Sequence, residues 1–255
     1  MAPHIIHKLF LLFPLLLLLP VSALARNRDA IHSSTQLVVV TTSDWDAVDG
    51  RLQRYQRSAP GKPWQAVGEA VTVVVGKKGL GWGAGVLPAD VLRLPDSTDP
   101  IKKEGDSKAP AGIFHLSRAF GYAEQEPLGW RMPYVGLTST VECVDDSASK
   151  FYNQVVDRSQ VSADWNSSEH MLRSDELYRW GIAVDHNANP AKAGEGSCIF
   201  LHIWRGPGQG TVGCTAMSQE QLETILSWID PKRKPVLVQL PLGQYQRLQR
   251  EFRLP

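Results

Sequence analysis

Beyond its first 25 residues this chain has no apolar run long enough to cross a bilayer as a helix, which takes roughly 20 apolar residues. It has no surplus of charge either. The 27 basic and 26 acidic residues leave a formal net charge of +1, and no basic stripe stands out, so nucleic acid is not an expected partner. No internal repeat and no low-complexity linker divides the chain after residue 25. The segment Gly76 to Gly85 carries five glycines but lacks the lysine-serine ending of a phosphate-binding loop, so it reads as structured turn chemistry and not as a nucleotide site. Asp185, His186, His202 and Cys214 are metal-binding residue types. Their spacing fits no paired-ligand zinc signature, so neither a metal nor a cofactor is expected. Cysteine is scarce: Cys143, Cys198 and Cys214 only.

The start of the chain supplies what the rest lacks. His4, His7 and Lys8 precede an apolar run from Leu9 to Leu19, broken only by Pro14, and the small-residue site Ala23-Leu24-Ala25 follows. This is the layout of a secretory signal peptide cut after Ala25, leaving no stable membrane anchor. An uncleaved anchor is the competing reading, and the run is short for it. The remaining chain of about 230 residues suffices for one large domain or two small ones. Export implies an oxidising compartment in which thiols pair, and an odd count leaves one over. If Cys214 is the reactive thiol, Cys143 and Cys198 are the pair; three unpaired thiols are the alternative.

Short strands dominate the pattern. Gln36 to Thr42 is β-branched and reads as a strand, and Ser43 or Asp44 is positioned to cap a helix from Trp45 to Arg57. Trp64 to Val75 reads as a strand pair, or one strand bent at Gly68. Pro88 to Ser107 reads as loop, Ala109 to Gly112 as a turn, and Ile113 to Leu116 as a strand. Further strands are expected at Val135 to Thr138, Val141 to Asp145 and Gly181 to Val184, with a closing strand from Pro235 to Leu240. The strongest helix runs from Gln219 to Ile229. Ser218 caps it, and Leu222, Ile225, Leu226 and Ile229 share a face. The expected fold is mainly β, a sandwich or irregular barrel with peripheral helices. The adjacent Asp145 and Asp146 read as a turn after a strand, because neighbours on a strand point to opposite faces.

The informative stretch is Phe200-Leu201-His202-Ile203-Trp204 with Thr211-Val212-Gly213-Cys214-Thr215. It sets His202 and Cys214 twelve residues apart around the loop Arg205 to Gly210, which holds three glycines and a proline. Such a loop can fold back. Cys198 to Leu201 reads as a buried strand ending at His202, with the cysteine on a glycine-preceded turn. The thiolate is the nucleophilic form and an imidazole can take its proton, so an activating His202 is expected to bring the thiol below about 8.5. A buried structural cysteine and an unrelated histidine are the plainer reading.

Two ordered elements make the reading specific. Gly105-Asp106-Ser107-Lys108-Ala109-Pro110-Ala111-Gly112-Ile113-Phe114 is similar to the "GDgkTPeGiF" segment of the L,D-transpeptidase catalytic domain, the YkuD-like family. The His202 to Cys214 region resembles that family's histidine and its "[ST]HGC" turn. Glu142 to Asp146 and Phe151 to Asn153 look like an exported bacterial subgroup. The resemblance runs from about residue 105 to 240. It implies a YkuD-like catalytic domain there, with residues 26–104 packed on it or part of it and 241–255 as a tail.

The resemblance implies an enzyme of the periplasm or cell envelope that acts on peptidoglycan stem peptides. In it Cys214 is the nucleophile, His202 the base, and the Gly213 and Cys214 amides the oxyanion donors. Trp204, Arg205, Thr211 and His186 are the candidate substrate contacts. Three positions depart from the family pattern. Val212 stands where histidine is common, Ala216 where many members carry a substrate-contacting arginine, and Ile203 where glycine or serine is frequent. The third is expected to be harmless, because the family is thought to use the backbone carbonyl there. Arg205 is the candidate replacement for the arginine. An L,D-carboxypeptidase with the same residues, or a wall-binding protein without turnover, are the rival readings.

Overall fold

The computed structural model describes residues 30–188 and 190–255; the expected signal segment, residues 1–25, lies outside them. Strands β1 (Gln36–Thr42), β2 (Asp49–Gln56) and β3 (Gln65–Val74) form an antiparallel meander. The short β4 (Leu80–Trp82) and a four-residue helix α1 (Ala89–Leu92) precede β5 (Ala109–Gly121), the longest strand at 13 residues. After β6 (Tyr134–Gly136) come β7 (Val141–Val144), β8 (Val155–Asp157) and β9 (Ser168–His170), a separate sheet in the order β8-β7-β9. The chain then returns to the large sheet with β10 (Trp180–Val184), β11 (Phe200–Ile203) and β12 (Thr215–Met217). It ends with helix α2 (Gln219–Trp228), strand β13 (Val236–Pro241) and helix α3 (Leu242–Phe252).

The large sheet runs β10-β11-β12-β3-β2-β1-β13-β5, and β5 pairs again with β10. The ring is therefore closed, and the barrel is the fold rather than the sandwich. Closure removes the two open edges such a sheet would otherwise present. The interior is the larger apolar cluster. Val38, Val40, Leu201, Met217 and Leu237 share the face of Gln239 and are all within 1% of fully buried, while Leu37, Ile113 and Val238 are buried on the opposite face of the same sheet. The strands before residue 105 supply β1 to β3 of the ring, so they belong to the same sheet as the later ones.

Three sequence expectations give way. The helix expected from Trp45 to Arg57 is instead a turn followed by β2. Asp44 Oδ1 accepts the Asp46 and Ala47 amides, a cap of a turn only. From Asp49 to Leu52 the burial alternates, as in a strand with one face on the core, and β2 is paired on both edges. The turn expected at Ala109 to Gly112 is the start of β5, aligned parallel with β4, and Gly112 takes φ +150° there. The segment expected to be a tail carries α3, with Tyr245, Leu248 and Phe252 buried. The bend at Gly68 is present: φ is +66° and the β2–β3 register shifts between Leu52 and Arg54. The Ser218 cap is present too, its hydroxyl accepting the Gln221 amide.

Candidate active site

Period-2 alternation along β11 builds the site. Leu201 and Ile203 point into the barrel core, while Phe200 and His202 face outward; Cys198, expected to open this strand, lies just before it with φ +55° and packs on the outward side. β12 runs parallel to β11 with Leu201 opposite Thr215 and His202 opposite Ala216. Continuing that register sets Cys214 beside Phe200, on the same outward face as His202. The Phe200 amide confirms the pairing by donating to Cys214 Sγ at 3.4 Å. On the inner face, Thr215 Oγ1 donates to Gln239 Oε1, and Gln239 Nε2 donates to the Pro110 carbonyl. The residue after the cysteine is thereby tied through the barrel to β13 and to the start of β5. The loop from Arg205 to Gly210 does fold back: Thr211 donates its amide to the Val75 carbonyl, and Lys77 donates to the Thr211 carbonyl.

The small sheet lies over this outward face. Cys143 of β7 is bonded to Cys198 across a Cα–Cα distance of 6.0 Å, and Cys214 is the free thiol. Tyr178 fills the space between. Its ring meets those of Phe200 and His202 edge-on, with centroids 5.7 and 5.2 Å apart. Its hydroxyl donates to Glu169 of β9 at 2.8 Å. Arg173 forks onto Asp175 with two 2.9 Å bonds and lies 3.5 Å from Glu169. Together these groups wall a cavity of about 250 Å³ that contains Cys214, His202, Tyr178, Glu169, Arg173 and Arg205.

His202 and Cys214 are both buried, at 7% and 4% exposure. The His202 Nδ1–H donates to the Ile203 carbonyl at 2.7 Å, which leaves Nε2 with its lone pair. Burial pushes the imidazole down to about 4, with Arg173 and Arg205 acting in the same direction, so it is neutral at ordinary pH. The thiol departs from the sequence expectation. Burial, with the Glu169 charge adding to it, pushes Cys214 up to about 12 rather than below 8.5. The Sγ–H points to the Cys198 carbonyl at 3.5 Å, and no hydrogen bond joins Sγ to His202 among the described residues. At rest the two groups are a neutral thiol and a neutral base in one cavity.

The other expected site residues divide. Trp204, Arg205 and Thr211 line the cavity. Gly213 is buried, but its amide donates to Thr211 Oγ1 at 3.1 Å, and that hydroxyl donates to the Cys214 carbonyl at 2.6 Å. One of the two expected oxyanion donors is therefore engaged. Val212 is 70% exposed, whereas Ala216 is fully buried between β11 and β3. His186 does not line this cavity. It is buried in a neighbouring one of about 360 Å³ walled by Cys143 and Cys198, with Nε2 on the Glu195 carbonyl. No group of three His, Cys, Asp or Glu side chains able to hold a metal occurs among the described residues. Asp146 accepts the Ala148 and Asn166 amides, as a turn carboxylate does. Sequence reasoning missed Tyr178, Glu169 and Arg173. None lies in a motif, and only the folding of the small sheet over β11 brings them in.

The family model of the L,D-transpeptidase catalytic domain, YkuD, matches residues 49–238. The match begins at β2 and covers nearly the whole barrel, well before the Gly105 segment. No curated protein and no solved structure matches the chain.

Proposed function

The chain belongs to the L,D-transpeptidase catalytic domain family, and from that premise we propose that it is an exported cysteine acyltransferase of peptidoglycan stem peptides. The observation that carries the proposal is the shared cavity. His202 faces it from β11 and Cys214 from the turn that leads into the parallel β12, and Ile203 holds the imidazole in the tautomer that leaves Nε2 able to accept a proton. Ile203 supports the role through its carbonyl, so its side chain is immaterial to it.

In this mechanism the Sγ–H leaves the Cys198 carbonyl and turns to His202 Nε2. Because the resting pair is neutral, proton transfer accompanies attack rather than preceding it. Sγ bonds to the carbonyl carbon of the L,D-peptide bond in a tetrapeptide stem. The bond to the terminal D-alanine nitrogen breaks, and that nitrogen takes the proton held by His202. The thioester is then attacked by the amine of a second stem. Its proton passes through His202 to Sγ, restoring the thiol and leaving a cross-link between diamino acids. The amide of Cys214 serves the oxyanion, joined by that of Gly213 once the Thr211 hydroxyl turns aside. Lys77, Arg173 and Arg205 against Glu169 give the cavity a surplus of positive charge, which suits the stem's carboxylates. Arg173 and Arg205 are the residues that stand in for the arginine absent at position 216. The Cys143–Cys198 bond fits an oxidising compartment, which supports export to the periplasm or cell envelope.

Incubation of the mature protein with purified disaccharide-tetrapeptide, with products weighed by mass spectrometry, tests the proposal. A cross-linked dimer with released D-alanine supports it. A disaccharide-tripeptide alone makes the protein a hydrolase, and unchanged substrate leaves a binder.

A further inference from the structure

A lysine is rarely buried unless it is paired, and a single buried pair contributes little net stability once desolvation is counted. Lys102 is such a residue, its side chain 3% exposed. Its Nζ donates to Asp106 Oδ1 and to the Lys103 carbonyl, both at 2.7 Å. An ammonium has three N–H groups, and these two acceptors are its only ones among the described residues. Asp106 is occupied as well, taking the Lys108 amide on Oδ1 and the Lys103 amide on Oδ2.

The position of this charge is specific. A Cβ added at Gly213 would lie 3.9 Å from Lys102 Nζ and 3.4 Å from the Lys108 carbonyl oxygen. The ammonium therefore sits directly behind the turn that presents Cys214. On the other side, the lysine stem crosses Gly196, where an added Cβ would meet Lys102 Cε at 3.1 Å and His186 Nε2 at 3.0 Å. Burial pushes His186 down to about 4, so the imidazole packs against the stem without adding charge.

We propose that Lys102 is a positioning residue for Cys214: its buried ammonium behind the Gly213–Cys214 turn favours the negative charge that the turn carries during attack. This rests on the reading of Cys214 as nucleophile. Lys77, Arg173 and Arg205 line the open cavity in front of the thiol, with Arg173 held by Asp175 and Glu169. Glu169 and Tyr178 approach from the small-sheet side, and the Glu169 charge opposes a thiolate. His202 stands on β11 and is neutral. Lys102, from behind, is the buried cation set against the turn itself, and its charge favours the thiolate. The segment that resembles the family's first motif thereby acquires a part in the chemistry: Asp106 holds Lys102 in place and tempers its charge.

The test is alkylation of Cys214 by iodoacetamide in the full mature chain, followed by intact mass from pH 7 to 9 with melting temperature beside it. It needs no peptidoglycan, so its failure is distinguishable from failure of the transpeptidase reading. Lys102→Met should slow alkylation about tenfold at every pH, the equivalent of one pKa unit. Lys102→Arg should stay close to wild type, because the charge remains. Asp106→Asn should speed alkylation, because the ammonium loses its counter-charge. A folded Lys102→Met protein that alkylates at the wild-type rate would overturn the proposal, as would a slowing that arginine does not rescue. If Lys102→Met does not fold, Asp106→Asn decides, and an unchanged or slower rate there overturns it.

Discussion

Removing the Cys143–Cys198 bond tests how the small sheet is held over the site. The bond closes a loop of 55 residues. In the chain-entropy model such a closure is worth about 4 kcal/mol at 25 °C, because the open unfolded chain regains that freedom. For a domain of this size each kcal/mol moves the melting temperature by roughly 2–4 °C, so a fall of about 8–16 °C is expected in Cys143→Ala/Cys198→Ala. Position 198 has φ +55°, which costs alanine no more than cysteine, so the substitution adds little backbone strain of its own. The loss should extend to function. β7 carries one end of the bond and pairs with β9, which brings Glu169 to Tyr178, while the Cys198 carbonyl holds the Cys214 proton. The assay is urea and thermal unfolding of the double variant against wild type, in parallel with turnover. A double variant within about 1 kcal/mol of wild type would refute the reasoning, since the bond would then restrain nothing that the fold does not already fix.

Three further outcomes follow from the buried titratable groups. Alkylation of Cys214 should rise about tenfold per pH unit up to pH 10 without a plateau, because the thiol is held near 12; a plateau below 8.5 would show a preformed thiolate instead. His202→Ala should abolish turnover while leaving that slope intact, since the neutral imidazole acts on the bound complex and not on the resting thiol. His202 and His186 are both pushed down to about 4 in the fold. Unfolding lets each bind a proton near 6.5, so their stabilising contribution is full above that pH and is lost as pH falls through 6.5 towards 4. The loss is about 2–3 kcal/mol per histidine by pH 4.5, checked by urea midpoints at pH 7.5 and 4.5; equal midpoints would contradict it.

The parts of the fold that local chemistry controls were legible in the sequence. The Ser218 cap and the apolar face of Leu222, Ile225 and Leu226 specify α2, and alternation from Phe200 to Ile203 sets His202 outward. Other parts depend on partners distant in the chain. Trp45, Val48, Leu52 and Tyr55 recur at helical spacing, yet pairing with β1 and β3 overrides it. Gly50 shows the constraint, since a Cβ there would lie 3.1 Å from the Thr41 carbonyl oxygen. Pro110 and Gly112 read as a turn because the parallel partner β4 is invisible to local pattern. In the candidate site, the meeting of Cys214 and His202 in one cavity was legible from their spacing around a glycine-rich loop. Tyr178, Glu169 and Arg173 were not, because they reach the cavity only through the small sheet and the Cys143–Cys198 bond. Lys102 falls in the stretch from Pro88 to Ser107 that reads only as loop, and the fold buries it behind the turn that carries Cys214.

The central claim, that Cys214 carries the acyl group, is tested most directly by the mass of the protein itself. Wild type and Cys214→Ala, both checked for an intact fold, would be mixed with tetrapeptide stem in the absence of acceptor, quenched in acid and digested. Wild type should gain the mass of the stem minus its terminal D-alanine, on the peptide containing Cys214, while Cys214→Ala should gain nothing. A stem adduct on another residue, or release of D-alanine by Cys214→Ala, would contradict it.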